Sequence, residues 1–104
     1  MSYLWHMTLE EIQQAISERV ARASDLRASV KFVLDGDKII HVDTHQIPPK
    51  LSNEDKPADC TVRLSSDVFS DIISGRTSAA TAFMFGKIKI EGNMSVALAI
   101  SRLL

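Results

Sequence analysis

The sequence predicts an α+β fold, a mostly antiparallel sheet with helices packed on one face. Three observations point there. Helical periodicity and strand alternation fall in segregated runs: one helix, then strands between residues 28 and 64, then helices around a further strand. The alternating segments carry one apolar and one polar row, as expected of a sheet covered on one side. The four glycines, Gly36, Gly75, Gly86 and Gly92, stand at joints between these segments.

The first helix opens at Thr8. Thr8-Leu9-Glu10-Glu11 has the form of a capping box, and Met7 and Ile12 are spaced as a hydrophobic staple. Leu9, Ile12, Ile16 and Val20 share one face, Glu18 and Arg22 form an i,i+4 pair, and the helix ends near Ala23. Ala28, Val30, Phe32 and Leu34 alternate with polar partners in a strand. Asp35-Gly36-Asp37 makes a tight turn, and Ile40, Val42 and Thr44 return as the second strand of a hairpin. Residues 46–57 are loop-like, with Pro48 and Pro49 tolerable only at a sheet edge. Cys60, Val62 and Leu64 alternate again.

Ser65 and Ser66 start a second helix with Val68, Phe69, Ile72 and Ile73 on one face, stopped by Gly75. Ser78 caps a short helix that runs through Phe85 to Gly86. Lys87-Ile88-Lys89-Ile90-Glu91 is a strand, and its long separation from the strand at 27–35 allows the two to pair. Asn93 caps the closing helix. No internal repeat, linker or low-complexity stretch interrupts the order. Residues 1–7 are expected to form a loose tail before a single domain over 8–104.

Composition excludes several functions. Net charge is −1, so there is no basic excess to attract phosphate backbones, and no nucleic-acid partner is expected. No apolar run reaches the roughly 20 residues of a membrane span. Cys60 stands alone, which excludes an internal disulfide and favours a reducing, cytoplasmic setting. The opening MSYLWHM lacks the features of a signal peptide, and Ser101-Arg102-Leu103 lies one residue short of a C-terminal peroxisomal tripeptide.

Catalytic chemistry finds little support. His41, Asp43 and His45 fall in one row of a strand, yet a first-row metal needs three or four ligands, and such a row is more often the solvated face of a sheet. Cys60 points inward and is expected to be inert. The serines lack a nucleophile elbow, and no glycine-rich phosphate loop exists. No catalytic constellation is read, and no cofactor is expected.

The end of the chain carries an excess of apolar surface. From Gly92 onward the one charge is Arg102. Met94, Leu98 and Ser101 share one stripe of the closing helix, and Val96, Ile100 and Leu103 share another. One stripe can pack on the sheet; the other needs a second cover. The first helix and the Phe69/Ile73 helix could provide it. An oily ligand or a partner chain could too.

At this point the residues resemble a known family. Ala58-Asp59-Cys60-Thr61, Ser74-Gly75-Arg76, Ala82-Phe83, Gly86-Lys87-Ile88-Lys89-Ile90 and Gly92-Asn93-Met94 follow in order the pattern of the sterol carrier protein type-2 domain family. The match is dense over 57–103 and looser over 8–56. The resemblance implies a five-stranded sheet with helices on one face, enclosing a hydrophobic tunnel, with a third strand near Gln46–Leu51. It also implies non-enzymatic binding and transfer of sterols, fatty acyl chains or phospholipids. On that basis Phe32, Phe69, Ile73, Phe83, Met84, Ile90, Met94 and Leu98 are expected to line the tunnel.

The chain departs from the family at three places. Ala79 stands where a proline often opens the short helix, and Ile40 where an aromatic is common. The chain stops at Leu104, which implies a tunnel mouth either open or closed by a second subunit. A homodimer and a transient contact with a membrane or a lipid enzyme are therefore also expected. Two other functions stay open: an assembly module without lipid, and a small metalloenzyme using His41, Asp43 and His45.

Overall fold

The computed structural model of the chain describes residues 8–22, 26–46 and 48–103. The expected tail over 1–7 and the Met7 half of the staple lie outside the described residues. The elements run α1 (Leu9–Val20), β1 (Ser29–Leu34), β2 (Lys38–Asp43), β3 (Lys50–Ser52), β4 (Cys60–Leu64), α2 (Ser66–Ile73), α3 (Ala79–Met84), β5 (Lys89–Gly92) and α4 (Met94–Leu103). The strands form one sheet in the order β3-β2-β1-β4-β5. Three pairings are antiparallel; β1 and β4 run parallel.

The caps follow from the sequence. The Thr8 hydroxyl accepts the Glu11 amide at 3.1 Å, and the Glu11 carboxylate accepts the Thr8 amide at 2.9 Å, a reciprocal box that satisfies two donors the helix itself leaves open. Ser65 and Ser78 cap α2 and α3 through the amides of Val68 and Thr81. Asn93 caps α4 through those of Ser95 and Val96. The β1–β2 turn holds Asp35 at φ 55° and Gly36 at φ 82°. From there the Asp35 carboxylate reaches across to the start of α2, accepting the Ser66 amide at 2.9 Å and its hydroxyl at 2.8 Å.

One sheet face carries Val30, Phe32, Leu34, Ile40, Val42 and Cys60, all fully buried, and packs with α1 and α2 into a single core. The opposite face carries charge: Lys31 pairs with Asp55 at 2.7 Å and Arg63 with Glu91 at 2.7 Å.

The structure corrects two local expectations. β5 does not pair with β1; β4 lies between them. The reason is burial. β4 presents Cys60, Val62 and Leu64 to the core and so occupies an interior position. β5 carries exposed Lys89 and Glu91, the charges an edge strand uses against further pairing. The third strand begins later than expected, at Lys50, because Pro48 and Pro49 offer no amide to a ladder.

Asp59 holds the three strands in register. Its amide donates to the Ser29 carbonyl at 3.0 Å and to the Ser29 hydroxyl at 2.9 Å, and its carboxylate accepts the Ser29 amide at 3.0 Å. Its carbonyl accepts the Asn93 amide at 2.8 Å, where β5 passes into α4. This gives a physical reason for the Asp59 and Gly92-Asn93 signatures: one residue ties the ends of β1, β4 and β5 together.

Candidate functional site

A cavity of about 190 Å³ lies between the sheet and the last two helices. Its floor is Phe32 of β1, Val62 of β4 and Ile90 of β5, which neighbour one another on the covered face. α3 contributes Ala79, Ala80, Phe83 and Met84; Ile88 closes the gap before β5. From α4 come Met94, Ala97, Leu98 and Ser101, at the i, i+3, i+4, i+7 spacing of one helical face, together with Ile100. The room itself is left by small side chains. Ala79, Ala80 and Ala97 are the small side chains of its wall.

Among the described residues no ionisable side chain lines this cavity. The one hydroxyl among them, on Ser101, already donates to the Leu98 carbonyl at 2.8 Å. Such a surface gains by taking up apolar groups and has no general acid, base or nucleophile to offer. The mouth is equally apolar: Phe83 is 46%, Met94 47%, Leu98 57% and Met84 83% exposed. The Met94/Leu98 stripe of α4 is therefore left without cover by α1 and α2, while Val96 and Ile100 of the other stripe are buried.

Six of the eight expected tunnel residues meet here: Phe32, Phe83, Met84, Ile90, Met94 and Leu98. Phe69 and Ile73 are not among the lining residues. Phe69 is fully buried and packs edge-on against Phe32, ring centres 6.3 Å apart at 84°, so it positions the cavity floor without touching the cavity. Ile73 packs against the same core. Helical periodicity identifies the inward face of α2 but not which neighbour it meets. Sequence reasoning missed Val62 and Ile88, although their alternation with Leu64 and Ile90 was a usable signal. It also missed the alanines, for which no signal existed.

The row of His41, Asp43 and His45 does not assemble. His41 is buried, not solvated as expected, and its Nε2 donates to the Pro57 carbonyl at 3.1 Å. Asp43 accepts the His45 amide at 2.9 Å and the Gln46 side chain at 3.2 Å, and the first of these bonds chiefly holds its carboxyl below the ordinary carboxylate range. His45 stands in the following turn, 3.8 Å from the Asp59 carboxylate. Among the described residues no group of three His, Cys, Asp or Glu is placed to hold a metal. Cys60 is buried, and burial first, then the Asp59 charge, pushes its thiol pKa up. Among the described residues no helix is long and apolar enough to cross a membrane.

The profile of the SCP-2 sterol transfer family matches residues 9–104. The chain belongs to that family. Human sterol carrier protein 2 is 40% identical over 53 residues, 51% of this chain and 10% of the human protein. The matched stretch is thus a small part of the curated relative. Among solved structures, the crystal structure of sterol carrier protein 2 like 2 from Aedes aegypti superposes with a TM-score of 0.77 at 18% identity, covering 92% of this chain and 95% of that one. The solution structure of palmitated SCP2L2 from the same organism gives 0.70 at 21% identity, covering 93% and 94%. These likenesses show the fold: the five-stranded mixed sheet and its helices are those of the SCP-2 family.

Proposed function

We propose that this chain is a non-enzymatic lipid carrier, taking the hydrocarbon part of a sterol, fatty acyl chain or phospholipid into the cavity under α3 and α4. One observation carries the reading: an apolar cavity in which, among the described residues, the single polar side chain is already satisfied. Membership of a sterol transfer family and the palmitate held by the Aedes relative support it. The binding residues are then Phe32, Phe83, Met84, Ile90, Met94 and Leu98, in a lipid-binding unit over 8–104, with Phe69 and Ile73 as its support. The lone buried Cys60 suits a reducing compartment such as the cytoplasm.

The test is uptake of a fluorescent fatty acid by wild type, Met94→Lys and Leu98→Asp. Both positions are about half exposed, so a charge there is tolerated by the fold yet stands at the cavity wall, where an acyl chain must strip its water. Uptake is expected to be lost with an unchanged circular-dichroism spectrum. Full uptake by both variants would remove the site from this cavity. A second reading, assembly with a twin subunit or enzyme, is favoured by the exposure of Phe83, Met84 and Phe85. Light scattering with lipid extraction separates the two, since a dimer free of co-purified lipid supports assembly.

A further inference from the structure

The apolar surface at the end of α3 exceeds what the cavity uses. Phe85 is 74% exposed and is neither a cavity-lining nor a core residue. It follows Phe83 and Met84 directly, and Met84 is the most exposed large apolar residue of the three. The segment is held firmly. The Phe85 and Gly86 amides donate to the Thr81 and Phe83 carbonyls at 3.1 and 3.0 Å, and the Lys87 amide reaches the Ala82 carbonyl at 2.9 Å. A rigid, bonded backbone thus presents aromatic and thioether side chains to water, an arrangement that marks an interaction surface.

Two cations adjoin this tip. Lys87 and Lys89 are exposed, and neither has an ion-pair partner among the described residues. Both border the same shallow concavity as Gly86. The other charges there are engaged: Arg63 with Glu91 at 2.7 Å, and Asp35 with Ser66 and with Lys38 at 3.2 Å. The outward charge beside the apolar tip is therefore positive, on a chain whose net charge is −1.

We infer that the α3–β5 tip docks on an anionic lipid bilayer, Phe85 and Met84 entering the interface while Lys87 and Lys89 lie over acidic headgroups. Apolar side chains flanked by lysines match such an interface in both its layers. A second copy of the chain is a poorer occupant. A two-fold contact of tip on tip sets the lysines against their own equivalents. The tip is also continuous with the cavity mouth through Phe83 and Met84, so docking brings the mouth to the membrane surface. The inference takes its purpose from the carrier reading, but membrane binding is measured independently of ligand uptake.

The experiment is co-sedimentation with vesicles of phosphatidylcholine alone and of phosphatidylcholine with 30 mol% phosphatidylglycerol, a composition chosen so that each lysine near the surface is worth roughly fivefold in partitioning. Wild type is expected on the mixed vesicles and largely absent from neutral ones. Lys87→Gln/Lys89→Gln should lose about 25-fold, and Phe85→Ser should also be released. Uptake of fluorescent fatty acid without vesicles should be unchanged, since none of the three residues lines the cavity. Equal binding to both vesicle types, or unchanged partitioning of the variants, overturns the inference. A concentration-dependent dimer that Phe85→Ser abolishes, without vesicle binding, assigns the tip to a second copy instead. Loss of wild-type fatty acid uptake with vesicle binding intact would refute the carrier reading and leave the docking surface standing.

Discussion

Gly92 is the joint on which the cavity depends, and Gly92→Ala tests that dependence. Its φ is +97°, and a Cβ there would stand 2.5 Å from the Asp59 carbonyl oxygen and 3.3 Å from the Asp59 carbonyl carbon and the Cys60 Cα. All three are backbone atoms where the chain enters β4, and the carbonyl is fixed by the Asn93 amide at 2.8 Å. The left-handed conformation costs an alanine about 1–2 kcal/mol. Displacing Asp59 forfeits a hydrogen bond worth roughly 1 kcal/mol and leaves its partners under-satisfied for about 1–3 kcal/mol more. The expected loss is about 3–6 kcal/mol, a large share of the roughly 5–15 kcal/mol that stabilises a small domain. Gly75→Ala is the control, because its φ of +82° carries the same conformational cost with nothing within 4 Å. Urea unfolding followed by circular dichroism should place Gly92→Ala about 2–4 kcal/mol below Gly75→Ala, the loss at Asp59 alone. In heating, Gly92→Ala should fall roughly 12–24 °C below wild type, at about 4 °C per kcal/mol. Equal losses for the two variants would refute the claim that contact with Asp59 sets this joint.

Two further outcomes are expected. The bonds from Ser66, amide first and then hydroxyl, hold the Asp35 carboxyl below its ordinary value of 3.8; a depressed folded pKa gives stability that is full above that value and lost as pH falls through the folded one, so Asp35→Asn, which keeps the left-handed turn, should flatten the stability profile below about pH 4 in urea titrations. An unaltered profile would mean that Asp35 is not the group responsible. Cys60 should react with a thiol reagent only on the timescale of unfolding, since it is buried with its pKa raised; rapid labelling of the native protein would show that β4 opens locally.

Order, type and caps of the elements were legible because each rests on local chemistry. Thr8, Ser65, Ser78 and Asn93 bear side chains that satisfy helix amides two or three residues on, and Asp35-Gly36 needs only its own backbone. Pairing was not legible in the same way. Whether β5 joins β1 or β4 depends on which strand buries both edges, and that emerges only when the Asp59 bonds to Ser29 and Asn93 are seen together. The cavity was half legible for a related reason. Large apolar residues announce that they need cover, as Met94 and Leu98 did. Empty space is created by Ala79, Ala80 and Ala97, which announce nothing in a sequence. Phe69 shows the converse, a large aromatic on the right face whose neighbour proved to be Phe32 and not a ligand.

The size of the cavity bears on how a ligand is kept and released. At roughly 30 Å³ per water-sized group, about 190 Å³ accepts on the order of six methylene-sized groups. At about 0.8 kcal/mol each these contribute roughly 5 kcal/mol gross, against an association cost of about 4–15 kcal/mol. Filling this cavity therefore does not by itself hold a long acyl chain. The remainder must come from side chains that wrap the exposed part of the ligand, and Phe83, Met84, Met94 and Leu98 stand around the mouth with apolar surface to spare. Met84 would then serve two partners, the ligand and, through the α3–β5 tip, the bilayer. It cannot cover both at once. On that reading ligand and membrane would compete for it, and contact with a bilayer would loosen the cover over the ligand at the place where the ligand leaves. The consequence is measurable: protein loaded with fatty acid should partition into vesicles containing phosphatidylglycerol more weakly than empty protein, and Met84→Ala should narrow the difference. Equal partitioning of loaded and empty protein would mean that the mouth and the docking tip act independently.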